Sequence, residues 1–151
     1  IRNGRSYIFS SISQIDSIRY NGYLFLHSSY LQMNKGLFRS SAEKNEGFMA
    51  RLVKGPCSLY KIFSIEFHEA KEAKSGYDQS KPARFEIKSP TYYIKFQGDD
   101  YPREIESLRK NKFLGNFESM KEELNEFIKE ENIRLKDERD LVKLVRYYNR
   151  H

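Results

Sequence analysis

The chain has 151 residues, of which 38% are hydrophobic, 15% aromatic and 32% charged, and its formal net charge is +6. That length supports one domain with a core of its own, and 11 Tyr with 11 Phe mean that rings supply much of the core volume, which suits strands. No apolar run approaches the roughly 18 residues that a membrane-spanning helix needs, and a lone cysteine, Cys57, rules out an intrachain disulfide and a cysteine-based zinc site.

In chain order, the first segment with a pattern is polar and Ser-rich. Ile8, Ile12, Ile15 and Ile18 recur at intervals of three and four, which predicts a short helical turn or loop around Ser10 to Ile15. Next comes the clearest local signal. Ile18-Arg19-Tyr20 and Tyr23-Leu24-Phe25-Leu26 flank Asn21-Gly22, and Asn-Gly between apolar runs predicts a two-residue hairpin with positive φ at both turn positions. Ser40 to Gly47 is polar and reads as a loop. Phe48 to Val53 reads as a strand, Lys54-Gly55-Pro56 as a turn, and Cys57 to Phe63 as the returning strand. Its continuation alternates, with Phe63, Ile65 and Phe67 on one face and Ser64, Glu66 and His68 on the other. Glu69 to Pro82 is hydrophilic and reads as a long exposed connection. Phe85 to Lys88 and Tyr92 to Phe96 are two further strands, and Gly98-Asp99-Asp100 closes the strand region.

After that point the rhythm changes to helical spacing. Ile105 and Leu108 suggest a short helix over Glu104 to Arg109. Met120, Leu124, Phe127 and Ile128 form an apolar stripe over Ser119 to Glu131. Leu141, Leu144, Val145 and Tyr148 form another, with Asp137 placed to cap its start and Lys143, Arg146 and Arg150 near the end that favours cations. The expected fold class is α+β: an antiparallel β-sheet, or a partly open barrel or sandwich, over about residues 5–97, packed by two or three C-terminal helices over about 103–149. The whole chain, 1–151, reads as a single domain, with a β-rich body (1–100) and a helical tail (101–151). The stripes of the tail are too small to build a core alone, so the tail is expected to cover one face of the sheet.

No pattern of catalytic chemistry emerges. Gly98 and Gly115 stand alone, so there is no phosphate loop, and no Gly-x-Ser-x-Gly elbow is present. Cys57 sits in an apolar stretch without a local base and reads as a small buried hydrophobe. His68 shares a strand face with Glu66, but spacing alone supplies no further partner for acid–base or metal work. His27 reads as a rim residue and His151 as terminal. Glu118, Glu122, Glu123, Glu126, Glu130 and Glu131 fall opposite the apolar stripe and read as a solvated helix face. No catalytic, cofactor or metal residue is therefore nominated. The positive excess, concentrated in residues 1–100, serves solubility and suits an anionic partner. Rings interleaved with lysines carry the most functional interest: Tyr60, Lys61, Tyr92, Tyr93 and Lys95 are the candidate binding residues, because rings and ammonium groups on one sheet face can stack bases or sugars.

Phe48, Leu52-Val53-Lys54-Gly55-Pro56-Cys57-Ser58-Leu59-Tyr60-Lys61 and the ending Leu141-Val142-Lys143-Leu144-Val145-Arg146-Tyr147-Tyr148-Asn149 resemble the Gly-x-x-Ser-Leu-Tyr-Lys hairpin and the C-terminal helix of a group of Bacteroidetes proteins predicted to be secreted to the cell envelope. The resemblance implies an export signal upstream of Ile1 and a periplasmic or surface location. It implies no catalytic residues. The expected function is a non-catalytic envelope domain that binds a protein or glycan-type ligand through an exposed sheet face. The alternatives are a nucleic-acid-binding protein with a basic, aromatic face and a hydrolase whose site has no sequence signature.

Overall fold

The computed structural model describes residues 15–35, 40–71 and 79–151. The segment expected to form a helical turn near Ser10 lies largely outside them. Eight strands are followed by helices: β1 (Ser17–Tyr20), β2 (Tyr23–Lys35), β3 (Ser40–Val53), β4 (Cys57–Ile62), β5 (Ile65–His68), β6 (Arg84–Ile87), β7 (Thr91–Phe96), β8 (Arg103–Glu104), α1 (Lys110–Leu114), a 3-10 turn (Glu118–Met120), α2 (Lys121–Glu130) and α3 (Glu138–Tyr148).

The Asn-Gly hairpin forms as its residues dictate. Asn21 and Gly22 have φ of 48° and 81°, and Tyr20 pairs with Tyr23 across the turn. From there the strand order is β1-β2-β3-β4-β7-β8. All neighbours are antiparallel, but β8 also pairs in parallel with β2 at Leu31↔Arg103, which closes β2, β3, β4, β7 and β8 into a five-stranded barrel. Strand β2 can serve both neighbours on one edge because it is 13 residues long: its first residues pair with β1, and β8 joins further along. A register shift between Arg51 and Val53 inserts one extra residue into β3, and such a bulge bends a strand as closure requires.

Three expectations need correction. Ser40 to Gly47 is not a loop; it is the first half of β3, paired residue by residue with β2 from Lys35↔Ser40 to Ser28↔Gly47. A long partner strand supplies the hydrogen bonds that the polar sequence does not advertise. Glu104 to Arg109 is not a helix. Arg103–Glu104 is the closing strand, and Ile105 donates its N–H to the Tyr92 carbonyl (2.9 Å). The helix begins only at Lys110. Phe63, Ile65 and Phe67 do not continue β4: the chain leaves the barrel after Ile62, and β5 pairs with β6 in a separate two-stranded ribbon.

The core lies between the outside of the barrel and the tail. Leu59, Ile94, Phe113, Leu124, Leu141 and Leu144 are all fully excluded from solvent within it. Helix α3 packs on β3, β4 and α2, and Asp137 caps it by accepting from Arg139 N (2.9 Å) and Asp140 N (3.4 Å).

Candidate functional site

The five ring and lysine residues nominated from sequence do not share a face. In the register of β4 with β7, Lys61 lies opposite Tyr92, Tyr60 opposite Tyr93, and Ser58 opposite Lys95. Side chains alternate, so Lys61 and Tyr92 point the same way as Leu59 and Ile94, outward to the helices. Tyr60, Tyr93 and Lys95 belong to the inner face of the barrel. There Tyr93 is 2% exposed and its ring meets Tyr30 edge-on at 5.0 Å. Lys95 reaches the Asp100 carbonyl at 3.1 Å. Tyr60 and Lys95 are half-buried and line a surface cleft of about 420 Å³ together with Ser58 and Asp99, whereas the Tyr92 and Tyr93 rings are both removed from water.

Lys61 and Tyr92 meet at the start of α3. Lys61 Nζ lies 2.5 Å from Glu138 Oε2, with side-chain exposures of 11% and 27%. Tyr92 donates its hydroxyl to Glu138 Oε2 (3.3 Å) and Tyr23 to Oε1 (3.2 Å). The Lys61 ammonium also sits 4.4 Å above the Phe63 ring. Burial, and then the Glu138 charge beside it, push the Tyr92 phenol up to about 12. Burial likewise raises the Tyr93 phenol. The group of four polar side chains is a clasp between helix and barrel.

A second clasp, missed from the sequence, sits at the other end of α3. Asn149 donates Nδ2–H to the Cys57 carbonyl (2.8 Å) and accepts from Cys57 N–H at Oδ1 (2.7 Å). A Cβ on Gly55 would overlap this amide, so the glycine is needed for the approach of Asn149. Ser58 Oγ closes the same turn on the Gly55 carbonyl at 3.1 Å. The Gly-x-x-Ser hairpin and the Tyr-Tyr-Asn ending, 92 residues apart for Cys57 and Asn149, are therefore halves of one contact.

Cys57, His68 and His27 are each enclosed by neighbours. Cys57 is buried, and desolvation pushes its thiol up to about 12. His68 lies on the ribbon with Nε2 2.8 Å from Glu86 Oε2, though its N–H is off line for a hydrogen bond. Lys88 Nζ spans Glu86 (2.9 Å) and Glu66 (3.1 Å), which holds the Glu86 carboxyl below its ordinary range, while the two carboxylates raise the lysine. His27 packs on Phe48. Among the described residues, no three His, Cys, Asp or Glu converge to hold a metal ion.

One surface cleft combines free cations with rings. Arg139, Lys143, Arg146 and Arg150 recur at helical spacing along the outside of α3, all exposed. They line a shallow cleft of about 380 Å³ together with Phe127 and Tyr147, whose rings stack at 3.9 Å and 17°. Glu131 pairs with Lys143 at 2.6 Å; the three guanidinium groups have no ion-pair partner among the described residues. Larger clefts, of about 460 and 540 Å³, carry charges of both signs from Glu104, Glu106 and Lys136, or from Arg103, Glu104 and Lys112. In the sequence Lys143, Arg146 and Arg150 suit the helix dipole, and Arg146-Tyr147-Tyr148-Asn149-Arg150 reads equally as rings interleaved with cations or as part of the apolar stripe. The cross-helix ring stack was invisible without the packing of α2 on α3.

These features define a small α+β domain in which a closed five-stranded barrel is covered on one side by three helices. Set against family models, curated proteins and solved structures, the chain matches none.

Proposed function

We propose that the protein is a non-catalytic binding domain of the cell envelope, and that it holds an acidic glycan along the outer face of α3. The envelope location rests on the resemblance of the hairpin and the C-terminal helix. The observation that carries the ligand class is the row of three unpaired arginines and Lys143 beside the Phe127/Tyr147 stack. Over the eleven steps from Arg139 to Arg150 the row is about 16 Å long, a length that meets several carboxylates or sulfates of a chain but greatly exceeds one small anion. Guanidinium forks suit such groups bidentately. The non-catalytic part is supported by the burial of Cys57, whose thiol desolvation holds in its protonated form.

The test is binding to an acidic polysaccharide, with heparin and polygalacturonate as probes, over a salt series. Binding that weakens with salt, and a slope that falls by about 2 to 3 in Arg139→Ala/Arg146→Ala/Arg150→Ala, is the expected result. Absence of binding at low salt, or binding that the triple variant leaves unchanged, overturns the reading. A single-stranded DNA arm that binds more tightly than either glycan would favour the nucleic-acid alternative.

A further inference from the structure

We propose that two copies of this chain associate face to face through the β5–β6 ribbon, independently of any ligand on α3. Strands β5 and β6 pair Ile65 with Ile87 and Phe67 with Phe85, so these four side chains form one block on one face. They are 62%, 78%, 54% and 74% exposed, in that order. The opposite face carries Glu66, His68, Glu86 and Arg84, the first three tied together with Lys88. One side of the ribbon is thus already satisfied, and the other is an apolar surface without a second layer among the described residues. A two-stranded ribbon in that condition is marginally stable in water and gains from a layer packed on it.

A second copy fits the block in size and in shape. Rings and isoleucines of this exposure each present roughly 100–150 Å², so one block offers about 500 Å², near the upper range for a monomer's largest patch. Two blocks together reach about 1,000 Å², where specific interfaces begin. The block has two rows, an Ile pair and a Phe pair. A two-fold axis that lies in the contact plane, perpendicular to the strands and through the centre of the block, sets the Ile row of one copy against the Phe row of the other, twice, which is an isologous contact. Register also selects this orientation. The pairing continues in step to a bridge between Lys71 and Lys81, which alternation places on the same face as Phe67 and Phe85. The two-fold arrangement sends the two lysine pairs to opposite ends, whereas stacking the ribbons in the same direction would place them against each other.

Sedimentation velocity of the full chain across concentrations tests this. The wild type is expected to pass from an 18.0 kDa monomer to a species of twice that mass. Phe85→Glu and the milder Phe85→Ser should keep the melting temperature that the wild type shows when dilute and monomeric, since the side chain is exposed, and raise the dimer dissociation constant at least tenfold. Tyr20→Glu, at a side chain 72% exposed on β1, should leave dimerisation unchanged. A wild type that stays monomeric to about 200 μM overturns the proposal, as does a dimer that persists unweakened in both Phe85 variants.

Discussion

Asn149 is one side chain with two backbone hydrogen bonds to Cys57. Asn149→Ala leaves both Cys57 backbone groups without a partner, at a cost of about 1–3 kcal/mol, and urea unfolding should show the loss as a lower midpoint. Gly55→Ala should cost a similar amount through overlap with the same amide. The two are coupled: in an Asn149→Ala background the added methyl meets less, so the double variant should lose less than the sum of the singles. At the other clasp, Glu138→Ala strands the Lys61 ammonium, which is only 11% exposed. A loss of about 3 kcal/mol is expected, largely recovered in Glu138→Ala/Lys61→Met, because removing both charges removes the desolvation penalty. Tyr92 sets a pH dependence. Its phenol keeps its proton up to about 12 in the fold but only to about 10 when unfolded. The unfolded chain therefore holds fewer protons between these values. The stability that Tyr92 contributes is full below pH 10 and falls from pH 10 to 12; Tyr92→Phe should make the alkaline loss shallower over that range, while the buried Cys57 and Tyr93, raised as well, keep part of it. These side chains were only partly legible in the sequence. Lys61 and Tyr92 stood out as an interleaved pair, but their partner Glu138 lies 77 and 46 residues away. Spacing carries no information about contacts so remote.

At the scale of elements, α3 acts as a brace along β4. Its first residue holds Lys61 near one end of the strand, and Asn149 just beyond its last holds Cys57 at the other. The eleven steps from Glu138 to Asn149 rise about 16 Å as helix, and the four steps from Cys57 to Lys61 about 13 Å as strand. The lengths match closely enough for both ends to dock. Amides of α3 from Leu141 onward and of β4 should therefore exchange together with the slowest class in hydrogen–deuterium exchange, and the β5–β6 ribbon should exchange faster in any monomeric variant. Elements with a strong local code were readable: the Asn-Gly hairpin, the capped α3, the alternating β7. Those whose backbone conformation is imposed by a neighbour were not. The polar first half of β3 is a strand because β2 pairs with it, and Arg103–Glu104 is a strand because the barrel closes there.

Closure is what organises the whole molecule. It rests on β8, two residues long, whose approach to β2 is fixed by Leu31 N–H donating to the Pro102 carbonyl (2.8 Å) and Met33 N–H donating to Glu104 Oε2 (3.0 Å). Closing the sheet gives it an inside and an outside instead of two comparable faces. The tail takes the outside of β4 and β7, Tyr93 and Met49 fill the inside, and of the ring and lysine residues nominated from sequence Tyr60 and Lys95 are the ones that reach a surface cleft. Exposed apolar surface then gathers on the ribbon that leaves the barrel, and unpaired cations gather on the outer face of α3. The sequence by itself determined the α+β class, the order of body and tail, the hairpin, the apolar stripes and the cap, because each is written in residues within a few positions of one another. Only the tertiary structure decided that the sheet closes, which faces remain open and which polar residues are clasps, because those outcomes depend on pairings between segments tens of residues apart.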